Sequence, residues 1–492
     1  MTETAKKKRG MPSSFTILLA LLAIVAVITV IVSGTSGGAV TAARLSDFCT
    51  APILGFADAL PVCLFVMILG GFLGMMTETG ALDNGIAVLV QKLKGNEIML
   101  IPVLMLIFSL GGTTYGMCEE TVPFYALLAA TMMAAGFDPM VGAATVLLGA
   151  GCGCLGSTVN PFAVGAAVDA LTGVDIAVNQ SIIIGLGGVL WIVTTAMSIV
   201  FVMSYAKKVK ADKGSTILSM QELKDAEEAH GKAASEVNKE VKLTGRQKGV
   251  LIAFAFTFVV MIVGFIPLAD LNEGVANFFD AGAVYDADGN AVVQGWSALI
   301  TGLPIGQWYF DEASTWFFLM AVLIGIIGGL SEKQIVNTFI TGAADMMSVV
   351  LVIALARGIS VLMANTGLDV YVLDAAANAL AGLSGVIFAP MSFLVYFGLS
   401  FLIPSTSGMA TVSMPIMGPL AVKLGFSPEV MVMIFSAAIG VVNLFTPTSG
   451  AIMGGLALAK IEWTTWLKFA LKLIVALSVV CAIILTVACV ML

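Results

Sequence analysis

Stretches of about 20 consecutive apolar residues recur along this chain, and that feature leaves few folds open. A helix of about 20 residues crosses the hydrocarbon core of a bilayer. Inside that core every backbone N–H and C=O must be satisfied within the protein. Barrel strands would be about ten residues long and alternate polar with apolar. These runs do neither, so they are helices. Composition agrees: the 492 residues are 59% apolar and 11% charged, with mean hydropathy +1.03. A soluble domain carries about 25% charged residues. The net charge of −8 collects in loops and says little about partners. The seven cysteines (Cys49, Cys63, Cys118, Cys152, Cys154, Cys481 and Cys489) lie mostly in apolar segments without secreted-framework spacing. Cys152 and Cys154 lack the companion His or Cys pair of a zinc site. His230 is the only histidine and sits in a polar loop, which excludes a histidine proton relay inside the membrane. No nucleophile–base pair or metal spacing is present, so the chain reads as a non-enzyme that binds no nucleic acid.

Loop charges set the expected orientation. Lys6, Lys7, Lys8 and Arg9 precede the first apolar run, Thr16 to Val32, placing the N-terminus in the cytoplasm and that run as an uncleaved helix. Lys207 to Lys248 holds ten Lys and Arg against seven acids and is also cytoplasmic. Leu268 to Glu332 has no Lys or Arg but carries Asp270, Glu273, Asp280, Asp286, Asp288, Asp311 and Glu312, so it lies outside. Trp308 and Trp316 are expected at an outer interfacial belt, Trp463 and Trp466 (near Lys460 and Lys468) at an inner one.

The two halves resemble each other. Leu54 to Gly80 aligns without gaps to Thr341 to Gly367, pairing Gly55 with Gly342, Asp58 with Asp345, Gly71 with Gly358 and Gly80 with Gly367. T-T-Y-G-M-C-E-E-T-V-P (Thr113 to Pro123) aligns to S-T-S-G-M-A-T-V-S-M-P (Ser405 to Pro415). G-F-D-P at Gly136 matches G-F-S-P at Gly425, and G-S-T-V-N-P at Gly156 falls near F-T-P-T-S-G at Phe445. The first helix of half one leaves the cytoplasm, whereas its counterpart, Thr315 to Leu330, starts from the acidic outer loop. The extra helix Val250 to Pro267 flips the orientation, so the repeats are inverted.

Each half contains one piece too short for an ordinary span. Ile98 to Gly112 offers about 15 apolar residues before the polar run Thr113 to Thr121, and a second arm, Val122 to Ala135, follows directly. Half two repeats this with Met391 to Ile403 and Val412 to Leu424 around Pro404 to Thr411. Re-entrant hairpins are expected. The later helices, Met140 to Ala170 and Val430 to Ala459, are interrupted by Ser157–Asn160 and Thr446–Ser449, with Gly and Pro alongside. The expectation is nine full spans and two hairpins, with the C-terminus extracytoplasmic. The units are a tail 1–15, repeat one 16–205 (hairpin about 98–135, broken helix about 140–170) and a cytoplasmic loop 206–248. A linking helix 249–268, an outer loop 269–313 and repeat two 314–492 (hairpin about 391–424, broken helix about 430–459) follow.

Polar groups at such breaks suit ion and carboxylate binding. Hydroxyls, amides and freed carbonyls replace water around Na⁺, and helix N-termini supply N–H groups to an anion. An isolated Ser or Thr in a membrane helix ordinarily bonds its own backbone; four clusters in matching positions point to function. The candidate substrate residues are Thr113, Thr114, Gly116, Glu119, Glu120, Asn160, Ser405, Thr406, Ser407, Gly408, Thr448, Ser449 and Arg357. Ser157, Thr158 and Thr446 are candidate Na⁺ ligands. An ionisable group in lipid costs several kcal/mol and by default faces a cavity or a partner. Glu119 and Glu120 therefore hold a cationic substrate group, carry a coupled proton or form a structural pair. Arg357 either grips a carboxylate or pairs with a buried acid. Asp58 and Asp345, near helix ends in both halves, suit a structural role.

The blocks G-G-T-T-Y-G-M-C-E-E-T-V-P-F-Y, A-R-G at Arg357 and S-T-S-G-M-A-T-V-S-M-P resemble the YfcC family of the anaerobic C4-dicarboxylate carrier and arginine/ornithine antiporter group. That group lies within the wider ion transporter superfamily. The likeness runs from Thr16 to Ala470. Superfamily tips carry S-N-T and breaks T-P-P-N; here the tips read T-T-Y and S-T-S, without the Asn. The resemblance implies an all-α polytopic protein of the bacterial inner membrane, a homodimer and elevator-type alternating access. It also implies secondary active transport of a basic amino acid. A C4-dicarboxylate or peptide substrate, coupled to Na⁺ or H⁺, is the alternative, and a channel-like pathway is disfavoured. No cofactor is expected beyond a coupling ion, and the partners are a small-molecule substrate and membrane lipid.

Overall fold

The computed structural model describes residues 14–492 apart from 83, 86–87, 89–95, 238–241, 267, 272 and 287–290. Lys6, Lys7, Lys8 and Arg9, nearly all of the 1–15 tail, and Asp288 lie outside the described residues.

The first half begins with the apolar helix α1 (Ser14–Ser33). Helices α2 (Leu45–Asp58) and α3 (Leu60–Glu78) meet at a bend, where Pro61 in the first turn of α3 lacks the N–H to continue from α2. A hairpin follows, α4 (Leu100–Tyr115) and α5 (Val122–Ala134), and both arms pack on α6 (Pro139–Leu155). After an unwound stretch, a wide turn at Pro161–Gly165 leads into α7 (Ala166–Thr172) and then α8 (Gln180–Ala211).

The middle of the chain holds α9 (Met220–Val237) and α10 (Gly245–Phe265). Two short helical turns and a two-stranded ribbon, Val284–Tyr285 against Ala291–Val293, complete it.

The second half runs in a similar order, with one helix more among the described residues. Helix α11 (Phe310–Gly328) is followed by the bent pair α12 (Glu332–Asp345) and α13 (Met347–Thr366), then by α14 (Leu368–Leu380). The hairpin is α15 (Gly385–Leu402) and α16 (Thr406–Lys423), both arms packing on α17 (Pro428–Val442). Another unwound stretch separates α17 from α18 (Gly450–Leu458), and α19 (Trp463–Met491) ends the chain.

Contacts between the halves are reciprocal. Helix α2 packs on α13, and α12 packs on α3. Both crossings are tight enough to demand glycine. A Cβ on Gly55 would fall 2.3 Å from the Gly358 nitrogen, and one on Gly342 would fall 2.4 Å from the Gly70 oxygen. Apolar surface gains little by leaving lipid for another helix, so close backbone approach at small residues is what lets such helices associate.

Eight of the described helices are long and apolar enough to cross a membrane. Seven coincide with expected continuous spans, and the other two expected spans are the interrupted helices. The eighth, Glu97–Tyr115, is the first hairpin arm. It is longer than the expected Ile98–Gly112, because the helix runs on through Thr113, Thr114 and Tyr115 to a left-handed cap at Gly116 (φ +78°). Thr113 and Thr114 therefore sit in the last turn of a helix and not at the tip. In the second hairpin the helix resumes at Thr406, so only Ile403–Ser405 forms the tip, shorter than Pro404–Thr411.

The tryptophans singled out from sequence find acceptors inside the protein: Trp466 is fully buried and donates to the Leu444 carbonyl at 2.9 Å, and Trp463 donates to Phe445 at 2.7 Å. Trp308 is buried and donates to Leu303, while Trp316 donates to Thr257. A buried indole N–H needs an acceptor, and carbonyls at chain breaks and turns provide one. One further expectation is corrected: the polar stretch around His230 is not a loop, because α9 occupies it. Glu222, Ala226 and His230, at four-residue spacing, form the buried face of α9 against α5.

Candidate functional site

Both hairpin tips and both unwound stretches surround one cavity of about 170 Å³. Of the residues singled out from sequence, Gly116, Glu119, Glu120, Asn160, Arg357, Ser405, Thr406, Ser407, Thr448 and Ser449 line it. Thr113, Thr114, Gly408, Ser157, Thr158 and Thr446 are absent from its lining.

The first tip is shaped by the break beside it. Gly116 leaves α4 left-handed, and a Cβ there would lie 2.5 Å from the Asn160 Oδ1. Only glycine meets both demands. Asn160 caps the segment beyond the break: its Oδ1 accepts from Phe162 and Ala163 N–H, and its Nδ2 donates to the Ser157 hydroxyl at 2.9 Å. Thr113 ties the arm to that break, its hydroxyl donating to the Gly156 carbonyl at 2.7 Å while its own carbonyl accepts from Thr158 N–H. Ser157 donates to Cys154 O, and Thr158 donates to Thr113 O. Thr114 bonds back to Leu110 O within its helix. These four hydroxyls hold the break and the arm in shape.

Glu119 and Glu120 occupy a short helical turn between the tip and α5. Glu120 is 1% exposed and accepts from the Cys118 N–H at 2.9 Å. Arg357, mid-way along α13, reaches the cavity from the opposite side and pairs with Asp58 at the end of α2 (Nε–Oδ2 2.7 Å). Their side chains are 25% and 53% exposed. Asp58 thus has the structural part expected of it, and Arg357 faces the cavity and an acid at once. Asp345, its counterpart, is exposed.

The second tip and break offer hydroxyls and helix ends. Ser405 caps α16, accepting from Gly408 N–H at 3.1 Å. Thr446 and Thr448 share a hydrogen bond of 2.7 Å. Ser449 precedes α18 and makes no side-chain cap bond, and Gly450, Ala451 and Ile452 of the first turn line the cavity. Sequence reading passed over Cys118, Cys154, Tyr125, Phe162, Phe310 and Asn443, which also line it. Phe162 and Phe310 stack at 5.4 Å and join Phe265 and Tyr115 in an aromatic wall. The available signal for Asn443 was its register, since G-F-D-P and G-F-S-P put it opposite Cys154.

A cavity that gathers polar side chains between interrupted apolar helices is the arrangement a multi-pass membrane transporter needs. The chain belongs to the C4-dicarboxylate anaerobic carrier family, DcuC, which matches residues 39–490. It is 28% identical over 445 residues to an uncharacterised protein of Haemophilus influenzae, covering 90% of this chain and 78% of that one. It is 27% identical over 440 residues to YfcC of Escherichia coli, whose name assigns it provisionally to basic amino acid antiport, covering 87% and 77%. Among solved structures it is similar to MtrF of Neisseria gonorrhoeae, from a class of antimetabolite efflux pumps. That match has 17% identity, 98% and 96% coverage and TM-score 0.44. The YdaH transporter of Alcanivorax borkumensis matches with 15% identity, 96% and 97% coverage and TM-score 0.47.

Proposed function

We propose that this protein is a secondary active transporter of a basic amino acid, working as a carrier or antiporter. The observation that carries this reading is the charge around the cavity. Arg357 is the one Lys or Arg among its described lining residues, and Asp58 already neutralises it. Glu119 and Glu120 then have only this shared guanidinium, which acts on Glu119 at longer range, as positive charge among the described lining residues. An unpaired buried carboxylate is costly, and a guanidinium or ammonium from the substrate removes that cost. The substrate carboxylate fits the other side, where the first turn of α18 presents N–H groups beside the uncapped Ser449.

The same reading includes two inverted repeats, 16–205 and 314–492, joined through the 206–313 segment. The recurring element order and the reciprocal Gly55 and Gly342 crossings support it. Re-entrant hairpins are supported by the 13-residue second arm Val122–Ala134, too short to span. An inner-membrane homodimer with elevator-type motion, cytoplasmic N-terminus and extracytoplasmic C-terminus completes the proposal. H⁺ carried by Glu119 or Glu120 is the coupling ion favoured here, with Na⁺ at Ser157, Thr158 and Thr446 as the second option.

A C4-dicarboxylate substrate is the competing reading, favoured by the family's description and by Arg357 facing the cavity. Arg357 would then bind a carboxylate and the glutamates would carry protons. Calorimetric binding of L-arginine and of succinate to the purified full chain, in Na⁺ and in K⁺, separates the two. Glu119→Gln and Glu120→Gln keep shape and lose charge. On the basic amino acid reading they weaken arginine binding by about ten- to a hundredfold. Succinate binding by the wild type, with none for arginine, overturns it.

A further inference from the structure

Asp58 is the last residue of α2, and Arg357 lies mid-way along α13, next to the glycines where the two helices cross. That crossing has a counterpart in the packing of α12 on α3. Alignment of Leu54–Gly80 with Thr341–Gly367 pairs Asp58 with Asp345 and Arg357 with Gly70. A Cβ on Gly70 would fall 2.5 Å from the Gly342 oxygen, so that position admits no side chain. Of two matching crossings, one therefore sends a guanidinium toward the cavity and the other sends nothing.

A bare cation in the cavity lining works against a cationic substrate, and two acids compete for this one. Asp58 holds it through Nε at 2.7 Å, while Glu119 attracts it at longer range. The competitors stand close to one another. Ala59 and Val62, just beyond Asp58, line the same cavity as Glu119, and the turn carrying Glu119 and Glu120 packs on α3. Arg357 has five N–H donors on a long side chain, enough to serve either acid. Asp58 gains nothing from its own helix, because a carboxylate is disfavoured at the negative C-terminal end. It is absent from the cavity lining, so its influence on a ligand passes through Arg357.

We infer that Asp58 is a specificity-determining positioning residue: by holding Arg357 it keeps that guanidinium off Glu119 and leaves the acidic tip to a cationic substrate group. The inference rests on the basic amino acid reading and assigns the charge preference of the site to a residue outside it. Without Asp58, Arg357 becomes a built-in competitor of the substrate. The side chain of a bound arginine has the same chemistry, and either guanidinium satisfies Glu119.

The test is a double-mutant cycle on the purified full chain. Calorimetry measures binding of L-arginine and of L-citrulline, which replaces the guanidinium by a neutral urea. The proteins are the wild type, Asp58→Asn, Asp58→Glu and the double variant Asp58→Asn with Arg357→Gln. Asp58→Asn should weaken arginine about tenfold, the effect of one unit charge over about 10 Å at an effective dielectric of about 20. Citrulline should lose far less. Asp58→Glu keeps the charge and should keep the preference for arginine. The double variant removes the competitor and should regain most of the affinity that Asp58→Asn loses. A loss that Arg357→Gln does not restore, or one equal for both ligands, would make Asp58 a merely structural residue and overturn the inference. Undiminished arginine binding in Asp58→Asn would overturn it as well, with the transport reading intact. If Asp58→Asn alone does not fold, the charge-balanced double variant decides. Arginine preferred over citrulline as in the wild type supports the inference, and loss of that preference overturns it. A wild type that does not bind arginine refutes the inference and the basic amino acid reading together.

Discussion

The two hairpins are built from alignable sequence and turn at different residues. In the first, the helix passes through Thr113, Thr114 and Tyr115 and stops at Gly116. In the second, it stops at Leu402, and Ser405, aligned with Thr113, caps the returning arm. The cause is one residue. Pro404 aligns with Gly112; proline has no N–H and pushes its predecessor out of the helical region, whereas glycine lets the helix continue. Four residues on, Gly116 is the left-handed exit of its arm, while Gly408 lies inside a helix. The shift changes what each tip presents. Glu119 and Glu120 fall in the short turn facing the cavity, while Thr411, aligned with Glu119, bonds back to Ser407 O inside α16. Matching sequence therefore yields one acidic tip and one hydroxyl tip.

The largest expected difference is at the glycines. Gly116→Ala adds a Cβ at positive φ and against Asn160. It should cost about 1–3 kcal/mol in backbone strain alone and abolish uptake into proteoliposomes. Gly408→Ala meets only the Ser405 side chain, at 3.0 Å. Gly408 lies in the first turn of α16 without a positive φ, so alanine adds no backbone strain there, and melting temperature and uptake should stay near wild type once the Ser405 side chain gives slightly. Equal damage at both positions would break the comparison.

Next come the aligned hydroxyls. Thr113→Val leaves the Gly156 carbonyl without its donor in a buried place and should destabilise by about 1–3 kcal/mol. Ser405→Ala removes a helix cap, for about 1 kcal/mol. Denaturation of the two purified variants in one detergent ranks them, and a larger loss at Ser405 would reverse the assignment of tip and arm.

A smaller effect separates Thr406 from Thr114. Thr406 lines the cavity, so Thr406→Val should weaken substrate binding about three- to tenfold. Thr114→Val removes only a bond within its own helix and should bind as wild type. Affinity loss at Thr114 alone would contradict the continuous helix.

The smallest effect lies beneath the first hairpin, where His230 of α9 meets Leu458 O at 3.1 Å and has no counterpart under the second. Burial lowers the pKa of its imidazole, with the neighbouring Lys460 acting in the same direction. The unfolded segment then takes up the proton first as pH falls through about 6.5. Docking of α9 should be unaffected at higher pH and weaken on acidification through that value. Tryptic cleavage at Lys224 should therefore accelerate between about pH 7.5 and pH 5.5, once corrected for the enzyme's own pH profile. The acceleration should vanish in His230→Gln.

Much of this architecture was legible because the bilayer reduces the choices. Long apolar runs become helices, and polar residues with Gly and Pro inside such runs become breaks, so the interruptions at Ser157–Asn160 and Thr446–Ser449 announced themselves, although the second begins earlier, at Asn443. The exact turning points did not. Thr113 to Tyr115 look like a tip by polarity, but α4 extends through them because Gly112 stands where the second hairpin has Pro404, and their hydroxyls then find carbonyl acceptors. The partners of the tryptophans were not legible either, since the indoles of Trp463 and Trp466 donate to carbonyls that the second break leaves open. Helix α9 was hidden because its charges dominate the local composition and its buried face is only a few residues wide.

The sequence by itself determined that this chain crosses a membrane as helices, that its halves carry alignable blocks, and that hydroxyls, glycines and two glutamates gather at their breaks. These follow from local composition and spacing, which the solvent reads directly. Only the tertiary structure decided which polar groups face the cavity. Thr113 is spent on Gly156, and Arg357 is shared with Asp58, almost 300 residues away in the chain. The Asn443 Oδ1 is buried without a donor. Whether a polar side chain is satisfied or available depends on which distant atom arrives within about 3 Å of it, and no local pattern encodes that distance.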